Sequence, residues 1–138
     1  GVWCLKKNLP PECFWFDRDG VIFKRFFEVE GNLIKSINDY YQENLRLGSR
    51  ILPREFIPNL ISIFEVLDRS SLSVKEIRLD DLGLQEVEVR TYDGPKIYFS
   101  LRFSAGNTLA AIQSILEKTG FKKLEYLDFR VESRAYYR

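Results

Sequence analysis

The sequence contains no histidine, and that absence removes the commonest general base and the commonest transition-metal ligand. Two cysteines are the only soft ligands left. Neither belongs to a CxxC pair and neither has a histidine to activate it, which argues against a catalytic thiol and against a metal centre. An excess of one charge is lacking too: 21 basic residues against 20 acidic give +1. Such a balance provides no long-range field for nucleic acid or an anionic membrane surface. No apolar run approaches the ~20 residues of a bilayer span. The chain opens Gly1-Val2-Trp3-Cys4 without a methionine, a basic n-region or an apolar h-region, so a start, signal or membrane anchor is expected upstream of it.

What is present is a core. With 45% apolar and 14% aromatic residues over 138 positions, the chain suits one self-sufficient domain, residues 1–138, and is too rich in core formers for disorder. Cys13-Phe14-Trp15-Phe16 and Val21-Ile22-Phe23 flank Asp17-Arg18-Asp19-Gly20, the pattern of a β-hairpin. A turn is expected at Glu30-Gly31-Asn32. Phe56, Leu60, Phe64 and Leu67 recur at helical spacing, with Pro58 tolerable only in the first turn and an end near Arg69. Val74 to Leu79 and Val87 to Thr91 read as strands. Tyr92-Asp93-Gly94-Pro95 turns the chain into a further strand from Ile97 to Phe103. Leu109, Ile112 and Leu116 mark a second helix, capped by Asn107 or Ser104 and stopped by Gly120. A last strand runs from Leu124 to Tyr137. The expected fold class is α+β, with two helices on one face of a largely antiparallel sheet of about seven strands and the C-terminal strand at an edge.

Cys4 and Cys13 lie nine residues apart across Pro10-Pro11. The spacing admits either a bridge between adjacent extended segments in an oxidising compartment or two buried free thiols.

One segment carries a catalytic look. Phe14-Trp15-Phe16-Asp17-Arg18-Asp19-Gly20-Val21-Ile22 resembles the first motif of haloacid-dehalogenase-type phosphatases, in which the first Asp attacks phosphate and the second serves as acid and base beside Mg²⁺. Such an enzyme also needs repeated βα units, a Ser or Thr, a Lys and a downstream acidic pair. Asp80-Asp81 is the one pair to recruit, and the residues after Gly20 continue as a strand where the phosphatase has a loop and helix. Asp and Gly shaping a turn account for the same residues. An EF-hand reading fails because its glycine falls at position six, whereas Gly20 is fourth. No metal or cofactor, no small-molecule substrate and no enzymatic activity is therefore expected.

From Leu127 the residues alternate, with Leu127, Phe129, Val131, Ala135 and Tyr137 on one face and Asp128, Arg130, Glu132 and Arg134 on the other. Ser133 interrupts the apolar face. A charged terminal strand is how natural sheets protect an open edge, and an open edge can accept a partner strand. Three landmarks in order then resemble the extracytoplasmic β domain of the bacterial division family FtsQ/DivIB: Cys13 to Phe23, Tyr92-Asp93-Gly94 with Ile97, and Tyr126-Leu127-Asp128-Phe129-Arg130. The first resembles the family's "D-x-x-G-x-x-F" hairpin and the last its "D-L-R" strand. The chain departs from some members at Val131, at Leu84-Gln85 and at Ser100.

The resemblance implies a non-catalytic divisome scaffold, anchored outside the cytoplasmic membrane by an upstream transmembrane helix. Residues 1–10 would then be the end of a preceding POTRA domain and the junction. It further implies that membrane-anchored partners of the FtsB/FtsL or DivIC type add as a strand during septum assembly. The pairing would fall on Arg130, Val131, Glu132, Ser133, Arg134, Ala135, Tyr136 and Tyr137, with the two tyrosines as anchors and Lys122 and Lys123 as auxiliary basic contacts. The rivals are the Mg²⁺-dependent phosphatase around Asp17 and Asp19, and an unrelated α+β binding module.

Overall fold

The computed structural model describes residues 1–26, 36–118 and 120–138; the turn expected at Glu30-Gly31-Asn32 lies outside them. Among the described residues nine strands form one sheet: β1 (Val2–Leu5), β2 (Glu12–Phe16), β3 (Ile22–Phe26), β4 (Ser36–Asp39), β5 (Val74–Leu79), β6 (Glu86–Thr91), β7 (Lys96–Ser100), β8 (Tyr126–Phe129) and β9 (Tyr136–Tyr137). Their order is β3-β2-β1-β4-β5-β6-β7-β8-β9. The pairings β1/β4, β4/β5 and β7/β8 are parallel and the others antiparallel. This corrects the expected sheet of about seven largely antiparallel strands to a mixed sheet of nine. For β4/β5 and β7/β8 the physical reason is connectivity. The helices α1 (Ile57–Arg69) and α2 (Thr108–Glu117) lie on the connections β4–α1–β5 and β7–α2–β8, and a helical crossover returns the chain parallel where a hairpin would reverse it.

A second correction concerns the chain's last segment. The single strand expected from Leu124 to Tyr137 is two strands: β8 stops at Phe129 and β9 folds back antiparallel on it, with Leu127 opposite Tyr137 and Asp128 opposite Tyr136. Between them the Arg134 amide donates to the Val131 carbonyl at 3.1 Å, and Ser133 sits at φ 61°, a left-handed conformation outside the β region of regular strand. Gly120 (φ 106°) is left-handed too, but α2 ends before it, and Gly120 opens the short 3₁₀ turn Phe121–Lys123.

In β1, β2 and the strands from β4 to β8, alternation delivers about one residue in two to the helices. Trp3, Phe14, Ile37, Ile77, Leu79, Val89, Ile97, Phe99 and Leu127 form a single core with Leu60, Ile63, Val66 and Leu67 of α1 and Ile112 and Ile115 of α2. Each such side chain contributes about 1.5–3 kcal/mol when fully buried. Pro58 stands in the first turn of α1, where its missing N–H costs no helical bond. On the opposite face a smaller apolar cluster gathers at one end of the sheet, where Val2, Cys4 and Cys13 pack with Trp15 and Phe26. Cys4 and Cys13 are opposite one another in the β1/β2 register and joined as a disulfide. Val2–Leu5 is an interior strand of this sheet, paired on both sides.

Asp39, at the end of β4, is fully buried and fully used. Its carboxylate accepts from the Trp3 indole N–H at 2.8 Å, from the Tyr41 and Gln42 backbone amides at 2.8 and 2.9 Å, and from the Gln42 side chain at 2.7 Å. A buried charge is tolerable only with such partners, and this set pins β1 to β4 and to the chain that follows.

Candidate functional site at the terminal sheet edge

β9 is the last strand in the order, so one flank meets β8 and the other has no neighbouring strand among the described residues. Tyr126 and Arg138 exchange N–H···O bonds in both directions, at 3.3 and 3.4 Å. In an antiparallel pair such bonded positions alternate with non-bonded ones. Tyr136 therefore directs its N–H and C=O inward to Asp128, whereas Tyr137, opposite Leu127, directs both outward. Ala135, on the same alternation, also faces out. The edge thus offers a donor and an acceptor at Tyr137 to any chain laid beside it. Tyr136 and Tyr137 are 46% and 56% exposed, so both rings are available for contact.

Beside this edge runs a groove of about 250 Å³. Phe103, Ser104, Asn107, Thr108 and Ala111 form one wall, around the start of α2, and Phe129, Val131, Glu132, Ser133, Arg134 and Ala135 form the other. Val131 is exposed and helps give the groove an apolar lining. A strand added to β9 alternates its side chains between two faces, and one of those faces leads to this groove.

The remaining residues expected to touch a partner divide into two groups. Arg130 is committed to its own domain. Its guanidinium grips Asp128 through Nε and Nη2 at 2.8 and 2.7 Å, reaches Glu86 at 2.8 Å, and lies 4.6 Å from the centre of the Tyr98 ring. Those bonds hold the Asp128 carboxyl below its ordinary range and the Arg130 pKa above its own. Burial first, and then the neighbouring Glu88 carboxylate, push the Tyr98 hydroxyl up. Arg130 is thus a brace across β6, β7 and β8. Glu132, Ser133 and Arg134 lie in the turn before β9 and are exposed. Lys122 and Lys123 are exposed on the 3₁₀ turn that leads into β8, so they stand by Arg138 at the far end of the β8–β9 pair from Val131 and Ala135.

Two features escaped the sequence reading. The wall from α2 could not be assigned without knowing that the helix start packs beside β8. The Arg130 brace involves Glu86, 44 residues away, and strand alternation alone places Arg130 on the polar face without naming a partner.

The other constellation behaves as turn chemistry. Asp17 Oδ1 accepts from the Asp19 and Val21 amides, each at 2.9 Å, and Gly20 takes φ 76°. This is a side chain closing its own loop. Among the described residues no group of three or more Asp, Glu, Cys or His side chains is arranged to hold a metal ion, and no helix is long and apolar enough to cross a membrane.

No family model, curated protein or solved structure matches this chain.

Proposed function

We propose that the domain is a non-catalytic scaffold that receives an extended segment of a partner as an added strand on β9. The observation that carries this reading is the outward-facing N–H and C=O of Tyr137 on an otherwise unpaired flank. Backbone groups of this kind give affinity in strand addition, and adjacent side-chain pockets give specificity. The groove between α2 and Val131 serves as that pocket, and Tyr136 and Tyr137 supply contact area at low entropic cost. The order of the three FtsQ/DivIB-like motifs supports a role in bacterial cell division. On that reading the domain lies on the extracytoplasmic side of the cytoplasmic membrane at the division site, and membrane-anchored FtsB/FtsL- or DivIC-type proteins are the partners.

The placement of β9 changes where pairing falls. Arg130 to Arg134 do not offer a strand, so the added chain would run along Ala135 to Tyr137. The test is a calorimetric titration of the domain with a synthetic FtsB-type peptide, repeated with Tyr137→Pro and Tyr137→Phe. Pro removes the outward donor and leaves the inward bonds of Tyr136 intact. Affinity falls about tenfold or more for Tyr137→Pro, the worth of a backbone bond plus the clash of the ring, and changes little for Tyr137→Phe. Binding that is absent in the unmodified domain, or equal in Tyr137→Pro, overturns the proposal.

A further inference from the structure

A second concave surface lies away from β9. It is a cleft of about 570 Å³, with Arg18, Arg50 and Arg54 around it and Ile57, Pro58 and Ile61 on its apolar wall. The three arginines come from three places in the chain: the β2–β3 turn, the loop before α1, and the 3₁₀ turn at its entrance. Backbone bonds bring them together. Ile51 N–H donates to the Gly20 carbonyl at 2.9 Å and Ile22 N–H to the Ser49 carbonyl at 2.9 Å, while Val21 bridges to Arg50. Gly20 completes the fit, because a Cβ there would lie 2.4 Å from Ile57 Cδ1.

The contrast with the sheet's polar face is informative. There Arg78, Arg90 and Arg130 each sit within 2.8 Å of a carboxylate oxygen. Among the described residues, Arg18, Arg50 and Arg54 make no ion pair or side-chain hydrogen bond. Among the described residues Asp19 is the single carboxylate in the lining, so three guanidinium groups against one carboxylate leave a local charge of +2 in a chain whose total is only +1. Folding has gathered like charge where it has elsewhere interleaved opposite charge.

We propose that this cleft binds the phosphate or diphosphate group of an organic ligand, with Arg18, Arg50 and Arg54 on its oxygens and Ile57, Pro58 and Ile61 against its less polar part. One guanidinium fork satisfies both oxygens of a carboxylate, whereas a phosphate or diphosphate has enough oxygens for three. The cleft volume also falls within the range of small-molecule sites and far exceeds a bare phosphate. The site is independent of the β9 edge.

The test uses the whole domain, pyrophosphate as the soluble probe and phosphatidylglycerol or phosphatidylcholine vesicles as the second arm. Pyrophosphate is expected to shift the amide resonances of residues 18–20, 50–52 and 54 at low salt. Affinity falls about tenfold in each of Arg50→Gln and Arg54→Gln. Arg69→Gln, at the other end of α1, leaves it unchanged. These side chains are exposed, so the fold is retained and the amide spectrum verifies it. Pyrophosphate binding without vesicle binding assigns a soluble phosphoester. Binding to phosphatidylglycerol vesicles as well, lost in the same variants, assigns a lipid headgroup. Absence of cleft shifts, affinity in the two cleft variants equal to that of the unmodified domain, or stronger binding of an oligoglutamate peptide than of pyrophosphate overturns the proposal.

Discussion

Among the described residues the sheet ends on β3 and β9, and the two ends are built differently: the outer flank of β3 is already occupied at Ile22, which bonds to Gly48 and Ser49, whereas that of β9 has no neighbouring strand. At one end β3 carries exposed Phe23, Lys24 and Arg25, and its partner strand β2 shifts register between Trp15 and Phe16. Behind that edge the Cys4–Cys13 disulfide and the Trp3–Asp39 bond hold β1 to its neighbours on both sides. At the other end β9 is two residues long, carries tyrosines where β3 carries cations, and is held to β8 by a short run of backbone bonds. Charges and bulges are the devices by which sheets discourage pairing. One edge has both, and the other has neither on the strand itself. The difference shows that an open edge alone is no recognition element: the flanking side chains and the firmness of the strand behind it decide whether a second chain can add.

The comparison breaks most severely at Asp39. Asp39→Ala strips the Trp3 indole N–H and the Gln42 amides of their acceptor inside the fold, and unfolding free energy falls by roughly 3–5 kcal/mol in urea titration with an unchanged m-value. Asp39→Asn retains an acceptor and falls by less. Next comes the Cys4→Ser/Cys13→Ser pair. Closing a loop between residues nine apart is worth about 2–3 kcal/mol through the unfolded state, so the double variant loses that amount in the same titration. Binding at β9 is unaffected in the folded Cys variant. A stability loss near zero would mean that the firm end owes nothing to its bridge.

Much of this division is visible in the residues, for reasons that can be named. α1 shows itself through Leu60, Phe64 and Leu67, because the helical period lasts over 13 residues and every apolar position meets the same sheet. The β2–β3 hairpin shows through Asp17 and Gly20, whose conformations are local. The parallel pairings do not show, since nothing in Ser36–Asp39 or Val2–Leu5 distinguishes a parallel neighbour from an antiparallel one. The break between β8 and β9 is hidden for another reason. Val131 and Ala135 have the parity of one continuous strand, and only the backbone at Ser133 reveals that the chain has turned back. Arg130 is legible only in part: alternation places it on the polar face, and its brace from Asp128 to Glu86 depends on strands that the sequence does not bring together.

The smallest effect on stability belongs to β9 and is the sharpest form of the contrast. Tyr136 directs its N–H toward Asp128, so Tyr136→Pro removes an inward bond and frees the strand from β8. The two residues that leave are already about half exposed, and little apolar area returns to water. Unfolding free energy therefore changes by about 1 kcal/mol or less. Amide exchange reads the same property without a substitution: the Tyr136 amide exchanges through local opening at a rate well above those of Trp3, Ile37 and Ile77, whose protection follows global unfolding. Partner binding in Tyr136→Pro separates two modes of addition. If the peptide pairs with β9, affinity falls because the template strand is displaced. If it takes the place of β9 and pairs with β8 directly, affinity rises, because the strand it must displace has already left. Unchanged affinity, or exchange at Tyr136 as slow as at Trp3, would make the two ends alike and remove the physical basis for calling this edge available.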